Sequence, residues 1–327
     1  MTSAYRWIST GALCLASLAL EPKVFAAELT LPRDGWVSWQ VAAVDGAPDW
    51  CCWSNGNNFR DAPRTACRLD GKQHSWGNRD DATTDQVRIY ARTADGKLDR
   101  FRVLSVTCPV EGATPIRDLG RVTENDSAQW LVGLAKQKNE DVLTALAINR
   151  GDVARDALAS LARNDTRSET RRQAVFWLAT VRGQEGADIT ASVMFSDKDP
   201  DVREHAAFAL SQSAAPRAAP DLIRLGNTDK SGEVRAQAWF WLAQMGASGA
   251  EDAIVAELGK ERDEDVREDA VFALSQLPDE RASRALITAA ENRSLARELR
   301  KKAVFWLSQS ESDEAQRYLE QVLTAKY

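Results

Sequence analysis

Along the second half of the chain, apolar positions recur at helical spacing, and the pattern itself recurs. Five segments align without gaps: TRRQAVFWL from Thr170, VREHAAFAL from Val202, VRAQAWFWL from Val234, VREDAVFAL from Val266 and LRKKAVFWL from Leu299. Their central alanines, Ala174, Ala206, Ala238, Ala270 and Ala303, are 32, 32, 32 and 33 residues apart. In each block the first apolar residue, the alanine and the leucine stand at i, i+4 and i+8, one face of a 3.6-residue period. Glu169, Asp201, Glu233, Asp265 and Glu298 fall in the first turn of the predicted helices, where a negative charge suits the helix dipole. A short polar loop follows each block, and then a second amphipathic stretch, as at Pro220–Leu225 and Asp252–Leu258. Each unit therefore reads as two antiparallel helices that bury their apolar faces only by stacking on their neighbours. A weaker sixth copy lies in NEDVLTALAIN around Val142, Ser127 to Lys136 reads as a capping helix, and Asp313 to Thr324 as a closing one.

Upstream, from Ala27 to about Gly120, the period changes to two. Trp36–Val41 alternates, as do Val87–Arg92 and Leu98–Val106, the last two forming a predicted hairpin around Thr93–Lys97. The expected organisation is thus a leader over residues 1–26, a small disulfide-bonded β domain over 27–120, and an α-solenoid of about six helical-pair repeats over 121–327.

The leader is read from Arg6, an uncharged run from Trp7 to Leu20, and Val24-Phe25-Ala26 ahead of a cut before Ala27. This is the layout of a secretory signal peptide, and the run falls short of the roughly 20 residues of a spanning helix. No later stretch is apolar enough to cross a bilayer, so we expect an exported protein, periplasmic or extracellular. Its removal takes Arg6, Lys23, Glu21 and Cys14, moves the formal charge from −6 to −7, and leaves Cys51, Cys52, Cys67 and Cys108. An even count in an exported chain predicts two disulfides. The adjacent Cys51 and Cys52 favour the two pairings in which each reaches a different distant cysteine.

The acidic balance argues against a partner held by phosphate neutralisation, so nucleic acid is not expected. With only His74 and His205, no CxxC and no phosphate loop, the chain offers no catalytic, cofactor or metal constellation. Trp36, Trp39, Trp50, Trp53 and Trp76 in the β domain read as core filling, with a glycan- or peptide-binding face as the alternative.

Two features of the array invite a role. Arg171, Arg203, Arg235, Arg267 and Arg300 form a ladder in register with the five first-turn acids, and are read as structural ion pairs between repeats and at helix ends. Phe176, Phe208, Phe240, Phe272 and Phe305 point away from the Ala/Leu face, either into the core or toward an inner surface. The residue after each phenylalanine alternates large and small: Trp177, Ala209, Trp241, Ala273, Trp306. With Trp239, these phenylalanines and tryptophans form the candidate partner surface. Gln212, Gln244, Gln276 and Gln309 recur as well, and are expected to satisfy backbone groups near the helix ends.

The core D-x-D-V-R-x-x-A-x-x-A-L appears as Asp199-Pro200-Asp201-Val202-Arg203 through Leu210, and as Asp263-Glu264-Asp265-Val266-Arg267 through Leu274. It resembles HEAT repeats, in the short form of the phycobilisome-lyase-type HEAT-like family, from about Asn139 to Tyr327. The resemblance implies an α-solenoid that binds other proteins along a curved surface. It also implies that some relatives are bilin lyases and others metal-dependent hydroxylases with several His-Glu pairs as iron ligands. The array here holds one histidine, His205 beside Glu204. The expected function is an exported, non-enzymatic interaction scaffold with a protein partner. The alternatives are a binding module in the β domain and a lyase-like enzyme.

Overall fold

The computed structural model describes residues 30–53, 64–71, 76–77, 82–111, 115–135 and 140–324; the expected leader over residues 1–26 and His74 lie outside them. Nine strands precede thirteen helices among these residues. The main sheet has the order β7-β6-β1-β9, from β1 (Gly35–Ala42), β6 (Gln86–Ala94), β7 (Lys97–Ser105) and β9 (Ile116–Arg121). The β6–β7 hairpin is tighter than the sequence suggests. Its strands run on to Ala94 and resume at Lys97, leaving Asp95-Gly96 as a two-residue turn with φ of 52° and 74°. Positive φ at both central positions is the turn whose twist matches the strands, and an Asp-Gly pair tolerates it.

Both faces of this sheet are covered. Val37, Trp39, Val41, Ile89 and Val103 point toward the helices, while Trp36, Tyr90 and Leu104 point to a smaller cluster around the cysteines. That cluster holds β2 (Cys51–Trp53) and β4 (Cys67–Arg68). Cys51 bonds Cys108 and Cys52 bonds Cys67. Successive side chains on a strand point opposite ways, so the adjacent pair reaches two different partners. Trp36 (2% exposed), Trp39 (0%) and Trp50 (7%) are core residues. The indole of Trp39 donates to Ser127 Oγ at 3.0 Å and meets Trp130 edge-on at 5.7 Å.

The helices pair as α1 (Glu124–Ala135) with α2 (Glu140–Ile148), α3 (Asp152–Asn164) with α4 (Ser168–Val181), and α5 (Gly183–Ser196) with α6 (Pro200–Ser211). Then α7 (Ala218–Thr228) pairs with α8 (Gly232–Gln244), α9 (Ala250–Leu258) with α10 (Glu264–Ser275), and α11 (Asp279–Glu291) with α12 (Arg297–Leu307). The closing helix α13 (Asp313–Thr324) packs on the last pair. The even-numbered helices lie close against one another, whereas the odd-numbered ones splay apart from α3 to α9. The array therefore bends with the even layer inside. Ala174, Ala206, Ala238, Ala270 and Ala303 are buried, and a small side chain in a helix–helix contact permits axes ~8–10 Å apart.

The β region is joined to the first helical pair by backbone bonds: Val44 N–H to Ile148 O at 2.9 Å and Arg150 N–H to Ala42 O at 2.9 Å. Arg182 adds a clamp, donating to the carbonyls of Leu146 and Asn149 at 2.7 and 2.6 Å. Burial, with Arg155 nearby, lowers its guanidinium to about 10. The hydrophobic core is accordingly continuous from Val37 to Ala315.

Successive repeats are zipped by three of the five ladder arginines, while Arg267 and Arg300 make no ion pair among the described residues. Arg171 grips Asp197 with Nε and Nη2 at 2.7 and 3.1 Å, Arg203 grips Asp229 at 2.7 and 2.8 Å, and Arg235 grips Glu261 at 2.7 and 3.0 Å. The third arm of each donates to a carbonyl six residues back, at Asp165, Asp197 and Asp229. The partners are thus acids of the following loop, 26 residues ahead, and not the first-turn acids of the same helices. Each carboxylate also accepts the N–H two residues on, at Asp199, Ser231 and Asp263, and so fixes the turn into the next helix. At the fourth rung the corresponding loop residue is Asn292, whose oxygen is taken by Ser294, and Arg267 makes no ion pair among the described residues.

This difference sets a test. The Arg203 and Asp229 side chains are 3% and 6% exposed, so Arg203→Ala strands a buried carboxylate and is expected to cost about 3–5 kcal/mol. Arg267→Ala removes a guanidinium whose buried Nε has no acceptor, and is expected to cost less than about 1 kcal/mol. Urea unfolding of both variants checks the contrast, and equal losses would contradict it.

Candidate functional site

Each inner helix from α4 to α12, together with the residues that cap its end, carries a stripe at spacings of 4, 3 and 4 residues, which keeps its members on one line of the surface. In α6 it reads Asp201, His205, Phe208, Gln212; in α8 Glu233, Gln237, Phe240, Gln244; in α10 Asp265, Asp269, Phe272, Gln276. Three residues on from the polar position, the phenylalanines of adjacent helices meet. Phe176 and Phe208 stack at 6.0 Å with planes 13° apart, and Phe240 and Phe272 repeat this at 6.0 Å and 14°.

The tryptophans join these pairs. Trp241 leans across the Ala209 position to Phe208 at 4.7 Å and Trp306 across Ala273 to Phe272 at 5.0 Å; each also meets its own neighbour, Phe240 or Phe305. A large side chain thus occupies the space that the alanine of the preceding rung leaves open. Trp177 has no phenylalanine before it, because α2 carries Thr144 there. Trp50 of the β region takes that place, 5.9 Å from Trp177 and edge-on. The rings form one unbroken series from Trp50 through Trp177, Phe176, Phe208, Trp241, Phe240, Phe272 and Trp306 to Phe305.

Phe176, Trp177, Phe208, Phe240, Trp241, Phe272 and Trp306 are half-buried, each keeping part of its ring on the inner face. Phe305 is 55% exposed. Trp239 is different: at 0% exposure it lies in the core between α7 and α8, where its ring occupies the space over Gly226. A Cβ at Gly226 would come within 2.5 Å of that ring, so the glycine is what admits it. Trp239 is therefore no part of the surface. The glutamines at the far edge bond side chains, Gln244 to Gln276 at 3.1 Å and Gln212 to Ser211 at 3.1 Å, in place of the backbone groups expected of them.

On the near edge, the first-turn acids are exposed. Beside them Glu204 is pushed up to about 6, first by burial and then by Glu233 and Asp201. Asp269 is also raised, by burial, Asp265 and Asp263. His205 lies 5.6 Å from the Phe208 ring, and its pKa is lowered by burial and by Arg172. The sulfurs of Cys51, Cys67 and Cys108 lie within 4.8 Å of one another because the two disulfides are neighbours, and so they are paired sulfurs rather than thiolate ligands.

Residues 155–240 and 224–308 match the family described as HEAT repeats. The helical pairs across this span are HEAT repeats. Such repeats generally serve as protein-interaction scaffolds, and their partners are proteins. No curated protein matches the chain. Similar solved structures include one from "Computational Design of Self-Assembling Cyclic Protein Homooligomers", 16% identical over 61% of this chain and 82% of that one, with a TM-score of 0.14. Another is "Cryo-EM structure of a de novo designed 16-helix transmembrane nanopore, TMHC8_R.", 18% identical over 56% of this chain and 62% of that one, also at 0.14. At that score neither carries an argument. No helix among the described residues is long and apolar enough to cross a membrane.

The raised Glu204 carboxyl predicts a pH signature. Between its ordinary 4.5 and about 6 the folded chain holds a proton that the unfolded chain releases, so stability falls as pH rises through that window and stays lower above it. Glu204→Gln should raise the melting temperature at about pH 7.5 and leave it unchanged at about pH 4, as followed by circular dichroism.

Proposed function

We propose that the chain is an exported, non-enzymatic scaffold that holds another protein along the inner face of its HEAT repeats. The observation that carries this reading is the ring series from Trp50 to Phe305. Nine aromatic rings in one contacting series, most half-open, form a contiguous aromatic face, and such patches mark interaction sites. The β region is a structural end-piece in this reading: Trp36, Trp39 and Trp50 are spent on its core, and Trp50 starts the series. Kinship with the phycobilisome-lyase-type HEAT-like branch rests on the short D-x-D-V-R core. Export is supported by the leader pattern and by two disulfides, which persist in oxidising compartments. If that holds, N-terminal sequencing of the exported protein will begin at Ala27.

The binding surface is tested by truncating its rings. Phe305→Ala, at an exposed position, should leave the unfolding free energy within about 0.5 kcal/mol. Trp241→Ala should cost more, about 1–3 kcal/mol, since it bridges two rungs. Both should weaken partner capture from the exported compartment at least tenfold at 20 °C, where both variants are folded. Capture that survives both truncations places the partner elsewhere.

A further inference from the structure

The ring series has a charged companion. Seven residues before each phenylalanine, on the same line of the helix and about 10 Å along it, stand the acids Glu169, Asp201, Glu233, Asp265 and Glu298. At the two ends this row is neutralised from within: Arg172 bonds Glu169, Lys301 bonds Glu298 at 2.8 Å, and Lys302 bonds Glu268. The middle is not. Asp201, Glu204, Glu233, Asp265 and Asp269 make no ion pair among the described residues, and the one basic side chain of their stripes, His205, is kept toward its neutral form by burial. The opposite situation holds for the arginine zipper, where every carboxylate gripped is gripped twice. Uncompensated acids thus line one edge of the aromatic groove, over α6, α8 and α10.

We propose that this groove takes an extended cationic polypeptide segment, with apolar side chains on the rings and lysines or arginines along the central carboxylates. The inference rests on the protein-binding reading above and names the occupant's chemistry. Inner helices ~8–10 Å apart match one turn of a segment extended as polyproline II, three residues of ~3.1 Å each, and in that conformation every third side chain returns to the same side, so a basic residue at every third position meets each acid in turn. The rings add to the same preference, because an ammonium or guanidinium group is attracted to their faces. Glu204 and Asp269, raised first by burial and then by the acids around them, are relieved of that like-charge crowding when a cation arrives. A second copy of this acidic chain, or a nucleic acid, meets repulsion at the same edge.

The experiment uses the whole mature chain and three labelled synthetic peptides of about 12 residues, long enough to cross four inner helices. They share leucine and tryptophan at the same positions and carry lysine, glutamine or glutamate at every third. Fluorescence anisotropy should find the lysine peptide bound at least about tenfold more tightly than the glutamine one, with an affinity that falls as salt rises, and the glutamate peptide unbound. The combined variant Asp201→Asn, Glu233→Gln, Asp265→Asn alters exposed side chains only. It should melt as the parent does, bring the lysine peptide down to the level of the glutamine one, and flatten the salt dependence. Trp241→Ala should weaken both. Equal binding of all three peptides, sensitive to Trp241→Ala, would overturn the cationic occupant and leave the scaffold reading standing. Lysine-peptide binding that ignores the charge variant would overturn it also, since the cation would then sit elsewhere. No binding of any peptide, or self-association of the chain through this face, would overturn it; insensitivity to both ring and charge variants would remove the scaffold reading with it.

Discussion

The constraint on which the rest depends is the close approach of successive inner helices. Each carries a buried alanine at the same register, Ala174, Ala206, Ala238, Ala270 and Ala303, so the core side of every inner helix is small at that level. That separation brings rings two positions further on within 5–6 Å of one another, so that aromatic side chains from different repeats become one surface. The outer helices carry buried alanines of their own, at Ala154, Ala187, Ala218, Ala250 and Ala282, yet stand further apart from α3 to α9, and the difference between the layers is the curvature. Packing, bend and candidate face are therefore aspects of a single spacing.

The arginine zipper holds that spacing from the loop edge. Each guanidinium joins the turn of its own repeat to the carboxylate of the next, and each such carboxylate also shapes the turn that follows it. The link is short, nearly dry and directional, so it resists sliding between neighbours in a way that apolar contact does not. Its neutrality has a second effect. Because these charges cancel within the framework, the field at the inner face comes from the other acids, those that the framework does not use.

The repeat was legible because a 32-residue step and an alanine register are properties of one helix, readable without a neighbour. For the same reason the closing helix Asp313–Thr324 and the β6–β7 hairpin stand where periodicity puts them. What escaped was which residues pair across repeats. The first-turn acids looked like arginine partners because they are close in sequence, but a helix end faces the next loop, and the signal was the parallel series Asp197, Asp229, Glu261 at the same step. Trp239 looked like its neighbours Phe240 and Trp241; its burial depends on Gly226 in a different helix, a small residue whose meaning appears only once α7 and α8 are set together. Trp50 gave no sign of its place, since it arrives from the β region to stand in for a ring that α2 lacks.

The rings do not share the period of the helices. Tryptophan and alanine alternate along the series, so its true unit is two helical pairs, while the alanine row and the zipper are indifferent to odd or even. Gain or loss of one pair by duplication or deletion would leave the backbone stack intact yet set two tryptophans, or two gaps, side by side. Changes in length that keep the stripe in phase must come in twos, which ties the evolution of this array's size to its surface rather than to its fold.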